Sequence, residues 1–200
     1  MKGIINIYNE RKEIIKKRLN DFSKISRDDI FYELCFCILT PQSSAKMADK
    51  CIQELKKRDF KNTEYLNPEK LITNIRFNIN KAKYLVEAKN KYDKILSAIK
   101  TIKDARELRE WLVENVKGYG YKESSHFLRN IGYRNLAILD RHILKNLRKN
   151  NIIDEIPKHL NKKIYFEIEE KFKEFSNKIG IDMDELDLLF WSMETGEVFK

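Results

Sequence analysis

Few residues interrupt this chain: six glycines and three prolines are spread through 200 positions. Between them apolar residues recur at intervals of three and four, the period of a helix with one buried face. The alternating runs that a half-buried strand needs are nearly absent. The chain is therefore expected to be all-α, with about ten helices. The predicted segments cover residues 9–22, 27–39, 43–58, 68–77, 81–100, 104–116, 121–131, 140–149, 160–178 and 182–194. Segment 27–39 is largely apolar and is expected at the centre of the core, ending ahead of Pro41 because the residue before a proline disfavours helix. Ser43 and Asp140 read as caps, and Pro68 as a first-turn proline. With no linker, low-complexity tract or internal repeat, 200 residues suit one domain or two small lobes.

Composition bounds the partner. Hydrophobic residues make up 42% of the chain, enough to bury a core, and charged residues 36%, well above the usual quarter. No apolar run approaches the roughly 18 residues that span a bilayer, and the opening residues lack an apolar core followed by a small-residue cleavage site. The expected location is the cytoplasm. Cys35, Cys37 and Cys51 are odd in number and sit among apolar residues, as buried reduced thiols do; their spacing matches neither a zinc site nor a four-cysteine cluster. The net charge of +9 and pI near 9.3 point to a polyanion, nucleic acid first. A general bias towards lysine and isoleucine gives the same numbers, so charge alone does not decide.

The informative stretch is VKGYGYKESSHFLRNIG, residues 116–132. In a chain so poor in glycine, Gly118 and Gly120 stand two apart between two helices, where turning with positive φ or close backbone approach calls for glycine. Their amides and the following helix N-terminus would together form a phosphate-sized anion site; an ordinary helical hairpin turn reads the same way. Lys122 follows in the first turn of the next helix, where the positive helix end disfavours a second cation and favours a free, nucleophilic amine. The run LAILDRHIL then ends in Asp140. The separation 140 − 122 = 18 residues accommodates one helix and a return segment. A carboxylate beside an amine can stabilise a cationic sugar and assist proton transfer; it can equally be a simple cap. His126, one turn after Lys122, reads as packing, and His142, in the first turn after Asp140, as a candidate phosphate contact. His159 reads as surface, Tyr119 and Tyr121 as backbone contacts or hairpin packing, and segment 162–178 as a solvated helix.

The order VKGYGYK followed by LDRHI resembles the helix–hairpin–helix DNA glycosylase superfamily, to which endonuclease III belongs. The segment TPQSSAKMADK, residues 40–50, resembles its early loop, with Gln42 at the position of the residue that fills the gap left by a flipped base. The tail DLLFWSMETGEVFK, residues 187–200, resembles the end of the archaeal-type 8-oxoguanine DNA glycosylase/AP lyases, which close with a tryptophan, a Thr-Gly pair and a lysine, as Trp191, Thr195, Gly196 and Lys200 do here. The resemblance covers essentially the whole chain. It implies a single all-α helix–hairpin–helix domain over residues 1–200, two helical lobes with the DNA cleft between them. The N- and C-terminal helices would form one lobe and the middle helices the other, with the hairpin at about 107–132.

The resemblance also implies roles. Lys122 would be the Schiff-base nucleophile and Asp140 the catalytic carboxylate, with the Gly118–Gly120 turn on a backbone phosphate. A cation at the hairpin would be held by the backbone carbonyls of Glu114, Val116 and Tyr119. The four-cysteine motif of endonuclease III is absent, so no iron–sulfur cluster is expected and no cofactor is required. A nucleotide must leave the stack before its glycosidic bond can be reached; Lys122 then attacks C1′, and β-elimination breaks the strand. A pocket for 8-oxoguanine needs an acceptor opposite N7–H, because two facing acceptors are costly; Trp191 would stack on the base and the Lys200 carboxylate would serve as acceptor. The expected partner is double-stranded DNA carrying oxidised guanine or abasic sites, bound by a monomer with no membrane contact and associated with the nucleoid through that DNA. The rivals are the same chemistry on an oxidised pyrimidine and a non-catalytic helix–hairpin–helix DNA-binding module.

Overall fold

The computed structural model describes residues 2–200, and among them it is all-helical: ten α-helices, one short 3-10 turn and no strand. The helices are α1 (Lys2–Ser23), α2 (Arg27–Leu39), α3 (Ala45–Lys57), α4 (Asn78–Asn90), α5 (Tyr92–Thr101), α6 (Ala105–Asn115), α7 (Tyr121–Asn130), α8 (Arg141–Lys149), α9 (Lys162–Ile179) and α10 (Met183–Thr195). They form two compact units. One comprises the chain up to Lys24 together with Leu128–Lys200; the other is Ile25–Phe127.

The Ile25–Phe127 unit is built on α2. Every residue from Phe31 to Leu39 is buried, so beyond its charged first turn this helix has no solvent face and sits at the core centre, as its largely apolar sequence predicts. Helices α3 and α4 pack on it, and Phe31 makes edge-on or tilted ring contacts with Tyr32, Phe60 and Tyr92. Cys35, Cys37 and Cys51 are free and buried here; burial pushes the Cys35 and Cys51 thiols up.

In the second unit α10 is central, buried from Met183 to Phe190. Along α1 the buried residues Ile4, Tyr8, Ile15, Leu19 and Phe22 keep helical spacing, and α1 packs on α10. Two polar ties, one buried and one part-buried, accompany that seam: Tyr8 Oη donates to Glu185 Oε2 at 2.6 Å and Arg11 Nη1 to Ser192 Oγ at 2.8 Å. Phe172 of α9 stacks on Phe190 at 6.1 Å.

Four boundaries differ from the sequence reading. Helix α1 starts at Lys2 rather than near residue 9, because Ile4 and Tyr8 extend the buried stripe. The segment expected as one helix over 81–100 is two, divided at Lys91, whose φ −99° and ψ 4° leave the helical region. Tyr92 then turns inward, donating to Arg27 O at 3.1 Å. Segment 68–77 holds only the 3-10 turn Pro68–Leu71; beyond it Ile72 and Ile75 are buried in a non-helical path. Helix α3 begins at Ala45, and Ser43 is not its cap.

Candidate active site

Helix α6 is capped by Asp104, whose carboxylate accepts from Arg106 N and Glu107 N, both at 2.9 Å. It ends at Asn115, with Val116 N–H still bonded to Leu112 O. The chain then turns through Val116–Gly120 into α7. Gly118 carries φ +85°, and a Cβ there would stand 2.8 Å from Tyr84 Cδ2, so this position needs glycine twice over. Tyr119 is buried; its hydroxyl donates to Leu34 O at 3.0 Å, and its ring lies 6.0 Å from Phe127. Tyr121 donates to Glu110 Oε2 at 2.8 Å, and the buried Arg109 donates to Ser125 Oγ at 3.2 Å. The hairpin is thus held from both sides, with Tyr119 buried and Tyr121 half-buried.

Gly120 behaves differently from the expectation. Its φ is not left-handed, and its amide donates to Glu123 Oε2 at 3.2 Å, a glutamate reaching back from the third residue of the helix as in a capping box. The outward anion-binding face predicted for both glycines is therefore reduced at Gly120. The other Glu123 oxygen lies 2.9 Å from Lys122 Nζ. Lys122 projects from the first turn of α7, its side chain 24% exposed. The sequence reading missed Glu123, although a glutamate three residues after a helix-opening glycine is itself a capping signal. Among the carbonyls considered for a cation, Val116 O accepts from Tyr119 N at 3.2 Å, and Glu114 sits in the last turn of α6, where carbonyls lack intrahelical donors.

A cavity of about 190 Å³ lies in the same unit, lined by Ile38, Pro41, Gln42, Phe77, Asn80, Lys81, Tyr84 and Gly118. It places Gln42 and Gly118, 76 residues apart in sequence (118 − 42), on one wall system. Three of its residues are left-handed: Gln42 at φ +55°, Phe77 at +60° and Gly118 at +85°. The exposed Phe77 ring has the Arg76 guanidinium 5.0 Å from its centroid. Lys81 is 5% exposed, and burial, followed by the Lys122 charge, lowers its pKa to about 8. Neither Phe77 nor Lys81 carried a signal in a sequence with forty basic residues.

Asp140, His142, Trp191 and Lys200 fall in the other unit. Asp140 caps α8: Oδ1 accepts from His142 N and Ile143 N, both at 2.8 Å. The His142 ring is half-buried, with Arg141 Nε 3.4 Å from its Nε2. Behind Asp140 lies a buried acid–base cluster absent from the sequence reading. Asp187 Oδ2 is 3.2 Å from Arg129 Nη1, and Asp184 accepts from Asn135 N at 2.9 Å. Burial, with smaller contributions from Asp140 and Asp184 and opposed by Arg129, raises the Asp187 carboxyl to about 7. Its only trace in the sequence is a set of acids inside the apolar run DMDELDLLF. Helix α10 ends at Gly196, φ +87°, and Thr195 Oγ1 donates to Trp191 O at 2.9 Å. The tail after Gly196 is half-buried, and the Phe199 ring lies 6.2 Å from that of Trp191. The tail is thus folded against Trp191 rather than frayed. His126 is buried edge-on against Phe36 at 5.7 Å, and His159 is exposed, both as read.

Comparison with known proteins extends over the same length. Residues 15–181 match a family model described as 8-oxoguanine DNA glycosylase. A Fusobacterium nucleatum protein named 8-oxoguanine DNA glycosylase/AP lyase is 47% identical, across 98% of this chain and 96% of its own. The crystal structure of the Methanocaldococcus jannaschii 8-oxoguanine glycosylase/lyase, in complex with a 15mer DNA containing 8-oxoguanine, superposes with a TM-score of 0.87 at 39% identity, covering all of both chains. That of the 8-oxoguanine DNA glycosylase of Thermotoga maritima gives 0.90 at 33% identity, covering 100% of this chain and 97% of that one.

Proposed function

Since this chain belongs to the 8-oxoguanine DNA glycosylase family, we infer that it excises 8-oxoguanine from DNA and then cleaves the strand as an AP lyase. The observation that carries the reading is Lys122: an amine largely withdrawn from solvent in the first turn of the helix that follows the hairpin. A plain phosphate grip has no use for a shielded nucleophile there.

The duplex is bound through its backbone, with the Gly118–Gly120 turn and His142 on phosphates, and the damaged nucleotide is everted at a cost of a few kcal/mol. Gln42 takes its place in the stack and bonds the partner base. Trp191 and Lys200 contact the everted base. The Lys122 nitrogen attacks C1′ through its lone pair; the C1′–N9 bond breaks and its electron pair leaves with the base. Asp140 offsets positive charge on the sugar as this happens. Ring opening gives the imine, loss of a C2′ proton follows, and the C3′–O bond breaks with the phosphate as leaving group. No step requires a metal. A cation held by the carbonyls of Glu114, Val116 and Tyr119 would serve only to brace the hairpin. The protein works as a monomer on chromosomal DNA in the cytoplasm; among the described residues no helix is long and apolar enough to cross a membrane.

The test is borohydride trapping on duplexes carrying 8-oxoguanine opposite cytosine, an oxidised pyrimidine, an abasic site or no lesion. The expected result is an adduct on the 8-oxoguanine and abasic duplexes that disappears in Lys122→Gln while duplex binding persists. An adduct favouring the pyrimidine would reassign the lesion. No adduct on any duplex would replace the enzyme by a binding module.

A further inference from the structure

Lys81 is a buried cation in an adverse place. It lies in the first turn of α4 (Asn78–Asn90), at the positive end of the helix dipole, and is 5% exposed. Buried charges are normally paired with an opposite charge, yet the Lys81 ammonium spends its donors on neutral oxygens of a single segment: Leu39 O at 2.8 Å, Pro41 O at 2.6 Å and Ser43 Oγ at 3.2 Å. The charged groups that bear on it are Lys122 and Glu123 of α7. The bond to Leu39 O caps the last carbonyl of α2, which has no intrahelical donor, but the bonds to Pro41 O and Ser43 Oγ lie beyond the helix and go further than a cap requires. Gln42, inside the anchored segment, is exposed and left-handed at φ +55°, a conformation that persists in a non-glycine residue only where its surroundings impose it. Ser43 Oγ also accepts from Arg76 N at 3.3 Å, joining this loop to the one that carries the left-handed Phe77.

We propose that Lys81 is a positioning residue: by fastening Leu39, Pro41 and Ser43 it holds Gln42 at the rim of the cavity in the conformation needed to occupy the place of an everted nucleotide. The role assigned to Lys81 rests on the reading of Gln42 given above. Fastening the loop in advance removes an ordering cost from the moment of base eversion, so its effect falls on substrates that must be flipped out of a paired duplex and not on the chemistry at C1′.

The experiment uses the full chain and the variants Lys81→Met, Lys81→Arg and Ser43→Ala. Hydrogen exchange over residues 39–44 reads the fastening itself, and exchange roughly tenfold or more faster is expected in Lys81→Met. Ser43→Ala, which removes one acceptor without stranding a charge, should give a smaller increase and covers the case in which Lys81→Met does not fold. Single-turnover excision from an 8-oxoguanine·cytosine duplex should fall at least about tenfold in Lys81→Met. Borohydride trapping on a single-stranded abasic oligonucleotide should fall much less, and Lys81→Arg should restore most of the duplex activity. Adding Gln42→Ala to Lys81→Met should cost less than Gln42→Ala alone. Unchanged exchange at residues 39–44, or equal losses on the two substrates with no rescue by arginine, would overturn the proposal. If Gln42→Ala alone leaves duplex excision intact, the reading of Gln42 falls, while the exchange measurement still decides whether Lys81 fastens the loop.

Discussion

At the scale of the residue, Asp140 shows how one carboxylate can serve two ends. Its Oδ1 accepts two amides of α8 at 2.8 Å, a cap worth about 1 kcal/mol against alanine, and the resemblance gives the same group a part in the reaction. Substitution separates the two. Asparagine caps as well as aspartate, so Asp140→Asn should unfold in urea within a few tenths of a kcal/mol of the parent, whereas Asp140→Ala should lose about 1 kcal/mol. Single-turnover excision should fall by roughly a hundredfold or more in both; full activity in Asp140→Asn would leave Asp140 a cap and nothing else. That Lys122 and Asp140 stand at helix starts was legible in the sequence because their neighbours mark those starts; the roles given to them rest on the resemblance. Lys81 and Asp187 were not legible, since nothing local separates a buried lysine or aspartate from the many exposed ones; packing by residues distant in sequence makes them what they are.

At the scale of the element, the hairpin between α6 and α7 rests unequally on its two glycines. Gly118→Ala would force a side chain into φ +85° and against the Tyr84 ring, costing about 1–2 kcal/mol for the left-handed backbone alone, with weaker duplex binding to match. Gly120→Ala meets only the Glu123 carboxylate at 3.3 Å, the far end of a flexible side chain, and should cost less. Urea midpoints and duplex titrations of the two variants check the order, and equal losses would contradict it. The hairpin was readable as a pair of glycines, but which glycine needs positive φ was not, because that depends on where Tyr84 of α4 falls. Most helices were readable from their apolar period for the same reason that α2 was: burial of one or all faces leaves a pattern. The division of 78–101 into α4 and α5 left none, since neither glycine nor proline marks Lys91; the turn follows from burying Tyr92 against Phe31 at 5.0 Å.

At the scale of the whole molecule, charge and pH govern behaviour. A net charge of +9 should make duplex affinity fall steeply with salt, the log–log slope approaching about −0.9 for each phosphate neutralised; a flat salt profile in a fluorescence titration would argue against backbone binding. Asp187 gives stability a pH dependence whose sign follows from its raised carboxyl. A group that binds its proton more tightly when folded stabilises the fold below its unfolded value and loses that contribution as pH rises to the folded one. Between about pH 4 and about pH 7 this residue should therefore subtract stability, and urea midpoints of Asp187→Asn should vary less over that interval than those of the parent. The three free cysteines bear on a different hazard. Oxidants attack the thiolate at exposed sites, and here all three thiols are buried, with Cys35 and Cys51 also held towards the protonated form. Peroxide and its relatives, the agents that turn guanine into this enzyme's substrate, thus find no exposed cysteine among the described residues, and the thiols at the core of the repair enzyme are sheltered from the conditions that make its work necessary.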